Sequence, residues 1–330
     1  MNRFRAGLWV VCTGFLFALA PPLLWPASAQ TTWPQRNVRF IVPLGPGSGA
    51  DIGARLFADR LSARWGKPVV VENRPGGDGI VAIAAFVGAH DDHTLLFAPA
   101  STFTAHPFLH DKLPYEPGDL LPIARVSNTL VVIVAPTTLN VGSLAELVAL
   151  ARAQPGKLNW ATATGVSDFL FASFLKNANL DMSKVPYRDT VQPSTDVSEG
   201  RIQFYWGAFA IVRPHVQAGK AKLLAVSNDA HIPDEPSVPT VREAGFPALH
   251  FDGLVGLFGP RDMPADIRDR IAADIHAVAG DPAIGARLSS TGQLVSPGGG
   301  AELAASIDEQ RAVVAAIAKE MGIKPAQQSH

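Results

Sequence analysis

Two short stretches carry residue types whose spacing could do chemistry. The first is Gly45-Pro46-Gly47-Ser48-Gly49-Ala50, set between the apolar run Val38–Val42 and a stretch, Asp51 to Trp65, with apolar residues at helical spacing. Taken literally, Gly45, Gly47 and Ala50 satisfy the G-x-G-x-x-G/A dinucleotide fingerprint, and Glu72 ends the next strand-like run where an acid would hold a ribose. That reading makes the chain an NAD-dependent oxidoreductase. Against it, Pro43 and Pro46 stiffen a turn that would have to wrap a pyrophosphate closely. The physics beneath the motif needs no nucleotide: a glycine-rich turn at a helix start exposes amide hydrogens without intrahelical acceptors, and these favour an anion. A tight strand-to-helix turn with Asp51 capping its helix is compatible with either reading.

The second stretch, Ala163-Thr164-Gly165-Val166-Ser167, repeats the device after the strand-like Lys157–Thr162. A helix terminus favours a nearby anion by about 0.3–1 kcal/mol, up to ~2 when partly buried. Each charge-assisted hydrogen bond adds ~1.5–3 kcal/mol. Four or five such bonds support a micromolar complex, about -8 kcal/mol, after immobilisation costs. Two such turns aimed at one cleft would hold a small carboxylate without any arginine.

Other constellations are weaker. His90-Asp91-Asp92-His93 resembles a metal-ligand cluster, but its members are consecutive and lack a distant fourth partner, so a solvated loop is expected and no metal. His106 and His110 could share a helix face, yet Pro107 intervenes and predicts a turn. No G-x-S-x-G elbow occurs, no Ser–His–acid order follows from spacing, and no close carboxylate pair stands out for general acid–base work. An enzyme is not expected, and no cofactor.

The elements that would position these turns alternate. Strand-like runs are Val38–Val42, Pro68–Glu72, Thr94–Ala98, Leu130–Ala135, Lys157–Thr162, Lys184–Tyr187, Ile202–Trp206 and Lys222–Ser227. Helical stretches are Asp51–Trp65, one from Ser143 to Ala153 with Glu146 at the capping-box position, Ser167–Ala178, Pro264–Ala279 and Gly300–Met321. This predicts an α/β fold with helix-flanked, mainly parallel sheets. The chain's 330 residues, 47% apolar and 17% charged, exclude disorder and are generous for one such sheet, so two lobes are expected. The 28 basic against 29 acidic side chains exclude a global field for nucleic acid. The single cysteine excludes a disulfide framework.

The first thirty residues differ in kind. Arg3 and Arg5 precede an uncharged, mostly apolar run, and Ala27-Ser28-Ala29 fits the small-x-small cleavage rule, predicting a leader over residues 1–29 removed before Gln30. Pro21, Pro22 and Pro26 break the run too early for a membrane anchor. Cys12 falls within the leader, so the mature chain is free of thiols and, without Arg3 and Arg5, carries 26 basic against 29 acidic groups. Export across a membrane follows.

An ordered series of motifs then resembles the Bug/TctC family of periplasmic solute receptors. It comprises Ile41-Val42-Pro43-Leu44-Gly45-Pro46-Gly47, Asp51 with Ala54-Arg55, Pro68 to Gly76, Lys112-Leu113-Pro114-Tyr115 and Gln154 to Asn159. Val185-Pro186-Tyr187, Pro214 to Lys220, Leu224 to Ser227 and Val238 to Gly245 continue it over essentially the whole mature chain. The resemblance implies a two-lobed, type II-like periplasmic binding protein that captures a small carboxylate or amino acid and delivers it to the membrane permease of a tripartite tricarboxylate transporter. A sensory role on the same cleft is the alternative output. Lobe 1 is expected over 30–128 plus 250–330 and lobe 2 over 129–249, with hinges near Asn128–Leu130 and Phe246–Phe251, in a monomer.

Carried onto this sequence, the resemblance puts the ligand against Leu44, Ser48, Gly49 and Ala50 on one side and Thr164, Gly165, Val166, Ser167 and Asp168 on the other. Ser101 and Thr102 would line the same cleft, with Trp206 and Gly207 (then Ala208) as its floor. Tyr187 and Phe204 are expected in the core; Phe251-Asp252-Gly253 could approach the cleft from the crossover side, although Asp252 is expected in a solvated turn. Departures from the family pattern gather at the cleft: Ser48 where a glycine is common, Asp168 and Phe169 in the second turn, Gly207-Ala208 in place of Asp-Asn. Asp168 either caps its helix or sits near an ammonium group, the latter implying an amino acid ligand.

Overall fold

The structure is a computed structural model that describes residues 33–163, 165–187 and 189–325; the expected leader with Cys12, together with Thr164 and Arg188, lies outside the described residues. In chain order its strands are β1 (Val38–Val42), β2 (Val69–Asn73), β3 (Thr94–Pro99), β4 (Leu121–Thr129), β5 (Val131–Pro136), β6 (Asn159–Thr162), β7 (Ser183–Lys184), β8 (Phe204–Ala208), β9 (Ala221–Val226), β10 (Gly253–Gly259) and β11 (Gln293–Gly299). The helices are α1 (Gly49–Trp65), α2 (Ile80–Val87), α3 (His106–Leu109), α4 (Leu144–Ala153), α5 (Gly165–Asn177), α6 (Gln192–Ser198), α7 (Phe209–Gln217), α8 (Ala265–Ala279), α9 (Pro282–Ser290) and α10 (Gly300–Met321).

They build two helix-covered sheets. The first runs β11-β4-β10-β3-β1-β2 and the second β7-β6-β8-β5-β9. The α/β, two-lobed architecture expected from the alternating pattern is present, but the sheets are mixed rather than mainly parallel. The βα units β1–α1–β2 and β6–α5–β7 pair in parallel, whereas β10 is antiparallel to β3 and β4, and β5 is antiparallel to β8 and β9. β4 leaves the first sheet and continues, through Leu130 alone, as β5 in the second, and both of these crossing strands run antiparallel to each strand they pair with.

Each sheet buries both faces. In the first, Phe40, Phe57, Leu61, Phe97, Ile271 and Leu288 pack with α1, α8 and α9, while Ile41, Ile83, Leu96, Phe258 and Leu303 pack on the opposite face. In the second, Trp160, Phe171, Phe204 and Trp206 share a core with α4 and α5, and Tyr205, Val132 and Val212 fill the far side. Helix α10 touches both: Leu303 and Ile307 pack against the first sheet's core, and Val314 and Ala318 against the second's. No helix among the described residues is long and apolar enough to cross a membrane.

Three local expectations need correction. The residues between His106 and His110 form a helical turn, not an open one, because Pro107 sits in the first turn, where its missing N–H is harmless. The strand expected over Lys184–Tyr187 shrinks to Ser183–Lys184. Ser48, not Asp51, caps α1: its hydroxyl accepts from the Asp51 amide, with the Ser48 backbone extended.

Candidate functional site

The strand-to-helix turn after β1 is tied from below. Asp51, buried in the first turn of α1, accepts from the Gly47 amide at 2.9 Å, from Arg55 Nε at 3.0 Å and from Asn73 Nδ2 at 2.9 Å. Burial alone would raise its carboxyl, but the bonds from Arg55, Gly47 and Asn73 outweigh that and hold it below the usual value of 3.8. Asn73 also donates to the Leu44 carbonyl at 2.9 Å. On the other flank, fully buried Gln293 of β11 donates to the Gly49 carbonyl and accepts from Ser127 Oγ at 2.8 Å. The chain is thereby fixed on both sides of the glycines. The Ser48 amide donates to the Gly45 carbonyl at 3.2 Å, so the unspent donors are the amides of Gly49 and Ala50, which find no acceptor among the described residues.

Those amides face a cleft of about 610 Å³, part of it open to solvent. Elements of the first sheet contribute Leu44, Ser48, Gly49, Ala50, Pro99 and Ser101; those of the second contribute Val131, Ala163, Ser167, Thr190, Trp206, Gly207, Ala208 and Ile211. Thr129, Phe251 and Gly253 line it where the chain crosses between the sheets. No charged side chain lines it among the described residues. Trp206 is fully buried, and its indole Nε1 has no hydrogen-bond partner.

Of the residues expected in the site, Leu44, Ser48, Gly49, Ala50, Ser101, Ser167, Trp206 and Gly207 meet in this cleft. Four do not. Thr102 is buried behind it, against Gly79. Val166 is a core residue, and Gly165 abuts Leu109 so closely that an added Cβ would collide with its Cδ1. Asp168 is engaged away from it, accepting from Thr162 Oγ1 at 2.5 Å and from Lys184 Nζ at 2.8 Å, and is not among the residues that line the cleft. Phe251 and Gly253 line the cleft from the crossover side, as that stretch could; Pro99, Thr129, Val131, Thr190 and Ile211 are lining residues that sequence reasoning missed, being isolated positions that only the fold brings together.

Beneath the cleft, the crossings are laced by amides. Asn228 Oδ1 accepts from the Val131 amide at 2.8 Å, and its Nδ2 donates to the Thr129 carbonyl and Asn128 Oδ1, both at 3.0 Å. Asn128 in turn donates to Asp252 at 2.9 Å. Asp252 is thus a half-buried tie between crossings rather than a solvated turn residue. Phe204 is buried as expected, whereas Tyr187 is half-exposed at the rim of the core and donates to Asp196 at 2.6 Å.

The other candidates are occupied structurally. Glu72, the acid a dinucleotide would need, is paired with Arg74 and Arg39. In the His90–His93 stretch, His93 is buried rather than solvated; its Nε2 accepts from the Gln35 amide at 3.1 Å and its Nδ1 meets Asp92 at 2.5 Å.

Comparison with known proteins agrees with this geometry. The family model described as tripartite tricarboxylate transporter family receptor matches residues 53–323. A UPF0065 protein of Bordetella bronchiseptica is 31% identical over 312 residues, 93% of each chain. A solved periplasmic transporter superposes with a TM-score of 0.81 at 28% identity, covering 88% of this chain and 99% of that one. MatC from Rhodopseudomonas palustris, solved with bound malate, gives a TM-score of 0.77 at 26% identity over 86% of this chain and 99% of its own.

Proposed function

This chain belongs to the tripartite tricarboxylate transporter receptor family, and from that premise we propose that it captures a small carboxylate in the cleft between its sheets and presents the closed form to a membrane permease. The observation that carries this reading is the pair of unspent amides, Gly49 and Ala50, at a helix start that faces a cleft shared by both sheets. An ionised oxygen there would accept two charge-assisted bonds worth ~1.5–3 kcal/mol each, supplemented by the hydroxyls of Ser48, Ser101 and Ser167. The malate held by MatC supports the choice of anion.

Capture needs closure, since a ligand touching both walls favours the state in which they are near. The division into lobes 30–128 plus 250–330 and 129–249 is supported by the sheets, whose strands fall in those ranges except at the margin, where Thr129 ends β4. Leader cleavage before Gln30, a monomeric state and docking on permease subunits belong to the same proposal. The test is calorimetric titration of protein stripped of retained ligand by unfolding and refolding. Stoichiometric heat with carboxylates, without turnover, is expected. Binding of neutral amide analogues with equal affinity overturns the reading.

A further inference from the structure

Resting on the carboxylate reading above, we infer that the cleft selects a monocarboxylate with an apolar body, an aryl or alkyl acid, over di- and tricarboxylates and amino acids. The cleft is chemically lopsided. Its donors gather at the two turns, where the free amides of Gly49 and Ala50 and the hydroxyls of Ser48, Ser101 and Ser167 sit. Much of the remaining wall is Leu44, Val131, Trp206, Ala208, Ile211 and Phe251. One ionised group is provided for, and a hydrocarbon surface follows it.

Among the described residues, a second charge on the guest would find no side chain of opposite charge lining the cleft. No basic or acidic side chain lines the cleft among the described residues. The two acids that could have met an ammonium group are engaged elsewhere: Asp168 by Lys184 and Thr162, Asp252 by Asn128 and Asn228. A second carboxylate or an ammonium would surrender its hydration on closure with no opposite charge among the described lining residues to offset it, and a desolvated charge without such an offset is costly. Discrimination by an unpartnered charge is far steeper than discrimination by shape.

Trp206 supplies the independent mark. Its indole is fully buried in the middle of β8, beside the second turn, where the Ala163 amide donates to the Trp206 carbonyl at 2.9 Å. Its Nε1 donor is orphaned, and orphaned buried donors are rare in finished cores. The side chain that carries this donor also lines the cleft, so a guest packed against it meets a polar group set in hydrocarbon.

The experiment pairs isosteres on stripped protein: hexanoate against adipate, phenylacetate against 4-carboxyphenylacetate, and phenylacetate against phenylalanine and phenylacetamide. Hexanoate and phenylacetate are expected to bind at least tenfold tighter than each doubly charged counterpart. Ile211→Arg, at a half-exposed lining position, is expected to narrow or reverse the hexanoate–adipate ratio at least tenfold. Adipate binding as tightly as hexanoate to the unaltered protein overturns this inference while leaving the carboxylate reading intact. Phenylacetamide matching phenylacetate overturns the carboxylate reading itself.

Discussion

At the start of α1, a buried acid draws the turn inward: Asp51 collects Gly47, Arg55 and Asn73 around itself, and the loop it organises comes from the same sheet. At the start of α5 the corresponding acid, Asp168, is drawn outward to Lys184, and the turn is hemmed instead by apolar side chains from another part of the chain. Leu109 fits against Gly165, and the rings of Phe108 and Phe169 lie 6.2 Å apart. Both come from α3, which follows β3 of the first sheet. One wall of the cleft is therefore preformed by local polar bonds, and the other is positioned by contact across the cleft's flank. In the closure proposed above, polar bonds would hold the first turn whether or not the walls approach, whereas apolar contact would hold the second only while they do, coupling that turn to closure.

The largest expected effect acts on the support of the second turn. His106, at the head of α3, is buried with Nε2 donating to the Asp78 carbonyl at 3.0 Å and Nδ1 accepting from the Tyr115 hydroxyl at 2.6 Å, a pairing that suits the neutral ring. Burial pushes its pKa down from 6.5 to about 4; the bond to Asp78 opposes this, and neighbouring His110 adds to it. Above pH 6.5 both folded and unfolded chains hold neutral imidazole, and the full contribution is present. Between 6.5 and 4 the unfolded chain takes up a proton that the folded one refuses, so stability falls by up to about 3 kcal/mol. Urea melts at pH 7.5 and 4.5 measure this loss, and His106→Gln, which keeps a donor for Asp78, is expected to flatten it. An unchanged slope in the variant would place the acid sensitivity elsewhere.

On the first turn, Gly49→Pro isolates a single amide. Gly49 is the first helical residue, where proline fits, and Ser48 before it has φ -68 and ψ 158, the extended backbone that a residue preceding proline requires. The substitution removes one N–H with little strain. Carboxylate affinity is expected to fall by ~1.5–3 kcal/mol, roughly ten- to hundredfold, with the melting temperature nearly unchanged. Full affinity in the variant would remove the first turn from the site. Asp51→Asn should act more gently, weakening binding by about 1 kcal/mol as the bonds to Arg55 and Gly47 lose their charge. Because the Asp51 carboxyl is held below 3.8, its contribution is present above that pH and is lost only as pH falls through the lowered value. Hydrogen exchange at pH 5 should accordingly find the first turn protected and α3 loosened.

The same contrast governs what the amino-acid sequence discloses. The first turn is legible because its parts are neighbours, a glycine-rich run and an acid in the first helical turn, although the cap falls to Ser48 rather than to the expected Asp51. Strands such as β1 and β3 and helices such as α1 and α10 are legible through apolar period and caps. β10 is not. Its three glycines, Gly253, Gly256 and Gly259, read as loop, yet the strand lies buried between β3 and β4, where a Cβ on Gly256 would strike Leu303 and one on Gly253 would strike the Thr129 carbonyl. β4 hides behind Pro122 and its polar residues, and α7 carries Pro214 in its interior. Gln293, which steadies the first turn, lies far along the chain from Gly49, and no local pattern announces it. The outward turn of Asp168 depends on where Lys184 falls, which is a property of the β6–β7 pairing rather than of any motif.

Asp168 gives the smallest expected effect and the sharpest check of the comparison. If the acid belongs to the outer surface of α5, Asp168→Ala removes an ion pair whose lysine is 47% exposed, and such pairs are worth about 0–1 kcal/mol in stability. The cleft has no share in it, so affinity for a monocarboxylate should move by less than about threefold, within ordinary non-additivity. The ratio between an amino acid and its deaminated analogue should not move at all. A selective loss of amino acid binding would mean that the carboxylate swings inward on closure, exchanging Lys184 for a guest ammonium. The second turn would then resemble the first in using an acid, differing only in when that acid arrives.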